Sequence, residues 1–372
     1  MNRYVNPIGS FLLAHPQSKT HEKKATVYYE KNRISFSQIY PFIFYKNDFL
    51  ERYNIRIRFI DISNLANKDY PTGVDADIIL IQPWFTYATE AMVEFFDKVR
   101  RLNNSAKIVF LDSYAHNDLR WAKYVEPYIS IYVKKSLFKD KQQYLKAFRG
   151  DTNLTEYYGN LFNIQSAPVD WEVPEAILKK LHLCPHFFTD PKLMNRALAK
   201  PVEMKTEEFL KRDINIHARM AYKGSKWYES MRKSALDMIQ KVEGLQIPTT
   251  NDISFQEFQA ELNRSQFVFS PFGYGELCWR DIEAIIAGAV LIKPDVTHLE
   301  TRPNLFENNV TYLPVNWDFS NLEEVVEQAM ANPELCNCIR NEAYNRVFKY
   351  LEQKTFVEDM AILFETNTVN PK

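Results

Sequence analysis

Phe267-Val-Phe-Ser-Pro-Phe-Gly-Tyr-Gly-Glu-Leu-Cys-Trp-Arg-Asp-Ile-Glu-Ala-Ile-Ile-Ala-Gly-Ala-Val-Leu-Ile-Lys-Pro-Asp295 reads as an apolar strand, a glycine-containing loop, a helix and a second apolar strand. The strands fall at Phe267–Ser270 and Ala289–Ile292, with the helix at Trp279–Ala287. A loop of this kind brings backbone N–H groups and the positive end of a helix to one point, which favours an anionic group there. Only 9 of 372 residues are glycine, about a third of the usual ~7%. Three of the nine, Gly273, Gly275 and Gly288, sit in this stretch, where backbone geometry would demand them. Gly273-x-Gly275 resembles the start of a dinucleotide fingerprint, but Cys278 stands in its third glycine position. That fingerprint also normally opens the first βαβ unit. A dehydrogenase is disfavoured.

The same alternation extends outward. Val310–Pro314 reads as a strand, and Ser320-Asn-Leu-Glu323 as a capping box opening a helix to Met330. Asn332-Pro333 caps the terminal helices. Upstream lie a strand at Asp213–Ala218, a helix at Trp227–Val242, and a capping box Ser254-Phe-Gln-Glu257 opening a helix to Arg264. The first half repeats the rhythm, with strands at Ala25–Tyr29, Ile55–Ile60, Asp77–Ile81, Lys107–Leu111 and Ile129–Val133. Helices are expected at Phe36–Tyr53, Thr86–Leu102 and Leu137–Phe148. Strands apolar throughout suit a parallel sheet covered on both faces. Leu161–Lys205, broken by Pro168, Pro174, Pro185, Pro191 and Pro201, reads as the interdomain connection. The expected class is α/β. Two Rossmann-like domains, residues 1–200 and 201–372, would face a central cleft, with ligands beyond the strands' carboxyl ends.

Composition narrows the function. A 46% hydrophobic and 25% charged chain is ordinary globular usage. Basic and acidic residues, 46 against 47, nearly cancel, so there is no global field for a nucleic-acid backbone and any anion site is local. No apolar run approaches the ~18 residues of a membrane span. The short run Ile8–Ala14 is followed by His15-Pro16 rather than a cleavage site, so a cytosolic location is expected. Cys184, Cys278, Cys336 and Cys338 are too few for a disulfide scaffold and lack zinc-site spacing. Asp75-Ala-Asp77 precedes a strand rather than ending one, so no metal is expected.

"FSPFGYGELCWRDIEAIIAGAVLIKPD" resembles the nucleotide-sugar-binding segment of glycosyltransferases with the two-Rossmann-domain (GT-B) architecture. It is especially similar to the exostosin-like and bacterial polysaccharide glycosyltransferases. Their pattern of a strand, Pro-x-Gly, Arg-x-x-Glu-Ala and a small residue is matched by Pro271, Gly273, Arg280, Glu283, Ala284 and Gly288. Weaker likeness covers the C-terminal half and "FLDSYAHNDLR…YVKKSLF". The resemblance implies sugar transfer from a nucleotide-sugar donor to a hydroxyl of a glycan or lipid-linked glycan acceptor, in surface polysaccharide or glycoconjugate synthesis. It implies no cofactor, no metal and no nucleic-acid partner, and peripheral association with the inner face of the membrane where the acceptor is lipid-linked. Glu283 would bind the ribose hydroxyls, with Gly273, Tyr274, Gly275, Glu276 and Arg280 completing the donor loop. Retaining members often carry two glutamates eight apart, whereas Glu276 and Glu283 are seven apart. Inversion and retention both stay open. A same-fold sugar-nucleotide epimerase and a non-catalytic two-lobed binding protein are the alternatives.

Three further groups complete the expected site. In Ile216–Lys226, Arg219, Lys223 and Lys226 are placed to hold a pyrophosphate, with Gly224 permitting close approach. Asp112, His116 and Asp118 follow the strand Lys107–Leu111, where a base could take the acceptor's proton. Asp112 ranks first because strand ends are rigid, and His116 second because its pKa lies near neutrality. His298 and Glu300 are expected near the donor's sugar or base, and Trp84 and Phe85 as a stacking surface for an acceptor sugar. Lys134-Lys135 and Arg100-Arg101 read as solvated.

Overall fold

The computed structural model describes residues 22–63, 70–84, 87–199, 204–250 and 253–365. The first sheet starts with β1 (Lys23–Tyr29), β2 (Ile55–Asp61), β3 (Ile78–Gln82), β4 (Lys107–Leu111) and β5 (Ile131–Lys134). Three two-residue strands follow, β6 (Leu137–Phe138), β7 (Phe148–Arg149) and β8 (Pro168–Val169), and then β9 (Leu181–Leu183). Strands run β2-β1-β3-β4-β5-β9, all parallel. All five residues of β3 are buried, as a strand covered on both faces requires. The helices here are α1 (Arg33–Phe44), α2 (Lys46–Tyr53), α3 (Thr89–Leu102), α4 (Ala122–Val125), α5 (Asn153–Leu161) and α6 (Pro191–Ala199).

Three expectations change in this half. The single helix over Phe36–Tyr53 is two, broken at Tyr45, whose buried hydroxyl donates to the Leu351 carbonyl over 2.8 Å. The helix over Leu137–Phe148 is absent. Those residues form β6, a 3₁₀ turn at Lys141–Leu145 and β7, and the apolar spacing reflects Phe138 and Tyr144, whose rings meet at 4.8 Å. The segment read as a connection supplies β9, which extends the sheet beyond β5, and then α6.

The second half contains α7 (Thr206–Leu210), β10 (Ile214–His217), α8 (Lys226–Gln240), α9 (Phe255–Arg264), β11 (Ser265–Phe269) and α10 (Trp279–Ala287). After these come β12 (Val290–Pro294), β13 (Leu299–Glu300), β14 (Leu313–Val315), α11 (Leu322–Met330), α12 (Pro333–Glu352) and α13 (Thr355–Met360). A second parallel sheet runs β10-β11-β12-β14. The Ser254–Glu257 capping box forms. The one expected at Ser320–Glu323 does not, because Ser320 N donates to Asp318 Oδ1 over 3.0 Å and α11 starts after Asn321. Among the described residues no helix is long and apolar enough to cross a membrane.

The two sheets are tied across the cleft. β13 pairs antiparallel with β6, Leu299 opposite Phe138 and Glu300 opposite Leu137. Lys139 N donates to His298 O over 2.9 Å, Lys141 pairs with Glu300 at 2.9 Å, and Tyr158 OH donates to Trp317 O over 2.8 Å. The chain then returns to the first sheet, where Phe356 and Phe364 pack on Phe42 and Phe49.

Candidate active site

Residues 246–248 bond to the outer side of β10, after which the chain crosses to β11. Strand order therefore reverses between β10 and β11, and the crevice beyond their carboxyl ends is where such a sheet takes ligands. His217 ends β10, Ser270–Glu276 follow β11, and α10 starts at the same place.

Glu283, in the second turn of α10, is 7% exposed and has no protein hydrogen bond among the described residues. Burial raises its pKa, and the charges of Arg280, Arg33 and Arg196 oppose that. Two pockets share Glu283, Arg33 and Phe255. One, of about 370 Å³, is also lined by Arg219, Ser254 and Phe258. The other, of about 170 Å³, is also lined by Asp190, Leu193, Arg196 and Gln259. Arg280 has a buried Nε without a partner, and burial followed by Arg232 lowers its pKa. His217 is fully buried with its ring 4.9 Å from Phe258, and burial with Arg280 brings its pKa down to about 4.

The other expected phosphate ligands differ. Arg219 lines the larger pocket, but Glu261 holds its guanidinium through two bonds of 2.6 and 2.8 Å. Lys223, Gly224 and Lys226 are exposed. Gly273 N donates to Gly275 O over 3.0 Å and Cys278 N to Asp281 Oδ2 over 3.0 Å, so two amides of the expected cradle are already engaged. A Cβ on Gly273 would meet nothing closer than 3.7 Å. Gly275 is a necessity, because a Cβ there would run into the Ala115 carbonyl of the first domain.

That contact joins the second group of expected residues. Tyr274 stacks on Tyr228 at 4.6 Å and lies 5.6 Å from the His116 ring, and its hydroxyl accepts from Ser225 N at 3.1 Å. Glu276 is 1% exposed and accepts from Asn153 Nδ2 at 2.9 Å, with His298 Nε2 at 3.4 Å. Burial works against its charge, but His298 and Asn153 outweigh it and hold the pKa below the usual value. Glu276 and His298 thus form a junction between the domains, and Glu300 is paired with Lys141 rather than facing the crevice.

The three candidate bases separate by environment. Asp112 is 4% exposed and saturated: it accepts from Tyr132 OH at 2.7 Å, Lys134 Nζ at 2.8 Å and Tyr114 N at 2.8 Å. Asp118 is held by Arg120, whose Nε lies 2.9 Å away. His116 keeps a buried Nδ1 with no partner, stacks on Tyr114 at 4.6 Å, and is neutral, its pKa brought down to about 4 by burial and then Arg120. Lys134 and Lys135 are buried rather than solvated, at 2% and 6% exposure, and Arg100 donates to the Ala106 and Tyr128 carbonyls. Trp84 is half-buried and Phe85 lies outside the described residues. Among the described residues no group of three His, Cys, Asp or Glu side chains could hold a metal ion.

Sequence reasoning missed Arg33, Arg196, Phe255, Gln259, His217 and Asn153. Arg33 and His217 carried a signal, since each flanks the carboxyl end of a strand. Asn153 carried none, because its partner Glu276 is 123 residues away.

This layout is the GT-B architecture, two Rossmann-like domains facing a cleft, and solved structures of that fold align along nearly the whole chain. An alpha-glucosyltransferase in complex with UDP-glucose and DNA containing an abasic site is 12% identical, with 92% of this chain and 99% of that chain covered at a TM-score of 0.53. The same kind of enzyme with UDP and a 13-mer DNA containing a central A:G mismatch is 10% identical, with 92% and 100% covered at 0.51. Anabaena Alr3699/HepE in complex with UDP-glucose is 10% identical, with 91% and 99% covered at 0.48. No family model and no curated protein sequence matches the chain.

Proposed function

We propose that this protein is a glycosyltransferase that moves a sugar from a nucleotide-sugar donor to a hydroxyl of a glycan or lipid-linked glycan. The observation that carries the reading is Glu283. A carboxylate with no protein donor, set among Arg33, Arg196 and Arg280 at the strand-order reversal, is an unfilled acceptor. A ribose diol supplies the two missing O–H donors, and the surrounding cations suit the diphosphate. Their charge would stabilise the departing nucleotide without a metal. His116 is the base in this reading, neutral and beside the donor loop, and Asp112 and Asp118 orient its loop. The resemblance to exostosin-like and polysaccharide glycosyltransferases supports a glycan acceptor, with work in the cytosol or at the inner face of the membrane.

A panel of nucleotide sugars screened by thermal shift should give at least one that raises Tm. With that donor, nucleoside diphosphate release should require a glycan acceptor and persist in EDTA. No stabilisation by any nucleotide sugar would contradict the reading. Turnover of the donor to its epimer without acceptor would make the protein an epimerase, and activity lost in EDTA and restored by manganese would contradict the metal-free mechanism.

A further inference from the structure

The smaller pocket beside Glu283 has the chemistry of a nucleobase slot, and most of that chemistry comes from outside the second sheet's own loops. Leu193 and Arg196 reach it from α6, and Phe255 and Gln259 from α9. Asp190, the residue before α6, closes one end, and Glu283 stands where the slot meets the larger pocket. Leu193 and Phe255 give it apolar faces suited to a flat ring. The larger pocket, with Arg219, Arg33 and Ser254, is more polar in its residues and suits the ribose and diphosphate.

The polar groups of the slot have a definite sense. Arg196 donates to Gln259 Oε1, which fixes the amide and leaves Gln259 Nε2 buried without a partner. Asp190 is 6% exposed, and its Oδ1 accepts from Lys192 N at 3.0 Å. Its Oδ2 has no protein donor among the described residues. The slot therefore offers unsatisfied N–H donors and one unsatisfied carboxylate oxygen. A ring edge that answers both must present a carbonyl oxygen next to an N–H. Uracil and guanine have that lactam edge, whereas cytosine and adenine present a bare ring nitrogen beside an amino group.

We infer that this protein selects lactam-base nucleotides, uridine or guanosine, through Gln259, Arg196 and Asp190, so that α6 carries base specificity. The inference rests on the nucleotide-sugar reading above.

Calorimetric titration of the full chain with UDP, GDP, CDP and ADP tests it. UDP or GDP should bind at least about tenfold tighter than both CDP and ADP, and which of the two binds identifies the base. Gln259→Leu and Arg196→Met should bring the preference to within about threefold while residual binding of all four persists. Asp190→Asn, which keeps the cap on α6 but replaces the acceptor with an amide able to donate, should shift preference toward CDP. Glu283→Gln should weaken all four alike, because it acts on the ribose. Equal affinity for CDP or ADP in the native protein would overturn the inference, as would a preference untouched by the Asp190 and Gln259 changes. Binding by none of the four would overturn the donor reading with it.

Discussion

Asp112 and His116 lie four residues apart, and their surroundings give them different tasks. Asp112 is one half of a buried ion pair with Lys134, and removing one partner of such a pair leaves an uncompensated charge. Asp112→Ala should therefore cost about 3–5 kcal/mol of stability by denaturant titration, seen as lost fold rather than a selective loss of turnover. His116→Ala should lower kcat by ~10²–10⁴-fold at nearly unchanged stability and nucleotide affinity. Turnover close to native in His116→Ala would remove it from the mechanism or indicate a retaining reaction that needs no such base. The ordering of these two residues was not legible in the sequence. Asp112 owes its role to a lysine 22 positions away that reads as a solvated residue and is 2% exposed in the fold. Glu283 was legible, because a carboxylate just inside a helix that follows a strand and a glycine loop is a local pattern.

At the scale of elements, continuous apolar runs announced the strands, and Trp279–Ala287 falls on the expected helix residue for residue. The misreadings cluster where structure is set by distant partners. β6 is two residues long and exists because β13 pairs with it from the other domain, which no local periodicity records. The glycines divide in the same way. Gly288 ends α10 with φ 71°, and a Cβ there would meet the Met204 sulfur. Helix-end logic finds that position. Gly275 is required by the facing domain instead. Gly275→Ala should force the Tyr274–Glu276 loop and the Ala115–His116 loop apart and reduce kcat, with nucleotide affinity changed far less. A Gly275→Ala protein with native turnover would show that this contact is dispensable. The β6–β13 pairing can be held covalently by Leu137→Cys with Glu300→Cys, directly opposed in the register. The oxidised protein should keep its nucleotide affinity, and affinity recovered only on reduction would mean that the pairing must open for the donor to enter.

At the scale of the whole molecule, buried histidines set the response to acid. Burial brings His116 and His217 down to about 4, and holds His186 well below its ordinary 6.5. Between pH 6.5 and 4 the unfolded chain binds more protons at these sites than the folded one, so stability rises with pH across that window and this contribution is complete above it. Denaturant titrations should show stability falling from pH 6.5 toward 4, with a smaller slope in His116→Gln. A flat profile would contradict the burial of these rings. The account as a whole depends on the crevice beyond β10 and β11 being a nucleotide site with Glu283 on the ribose. Calorimetry of the preferred nucleoside diphosphate with native protein and Glu283→Gln tests that most directly. The lost charge-assisted hydrogen bond is worth roughly 1.5–3 kcal/mol, so the account predicts a Kd weakened about 10- to 150-fold in a folded variant. An unchanged Kd in a folded Glu283→Gln protein would contradict it.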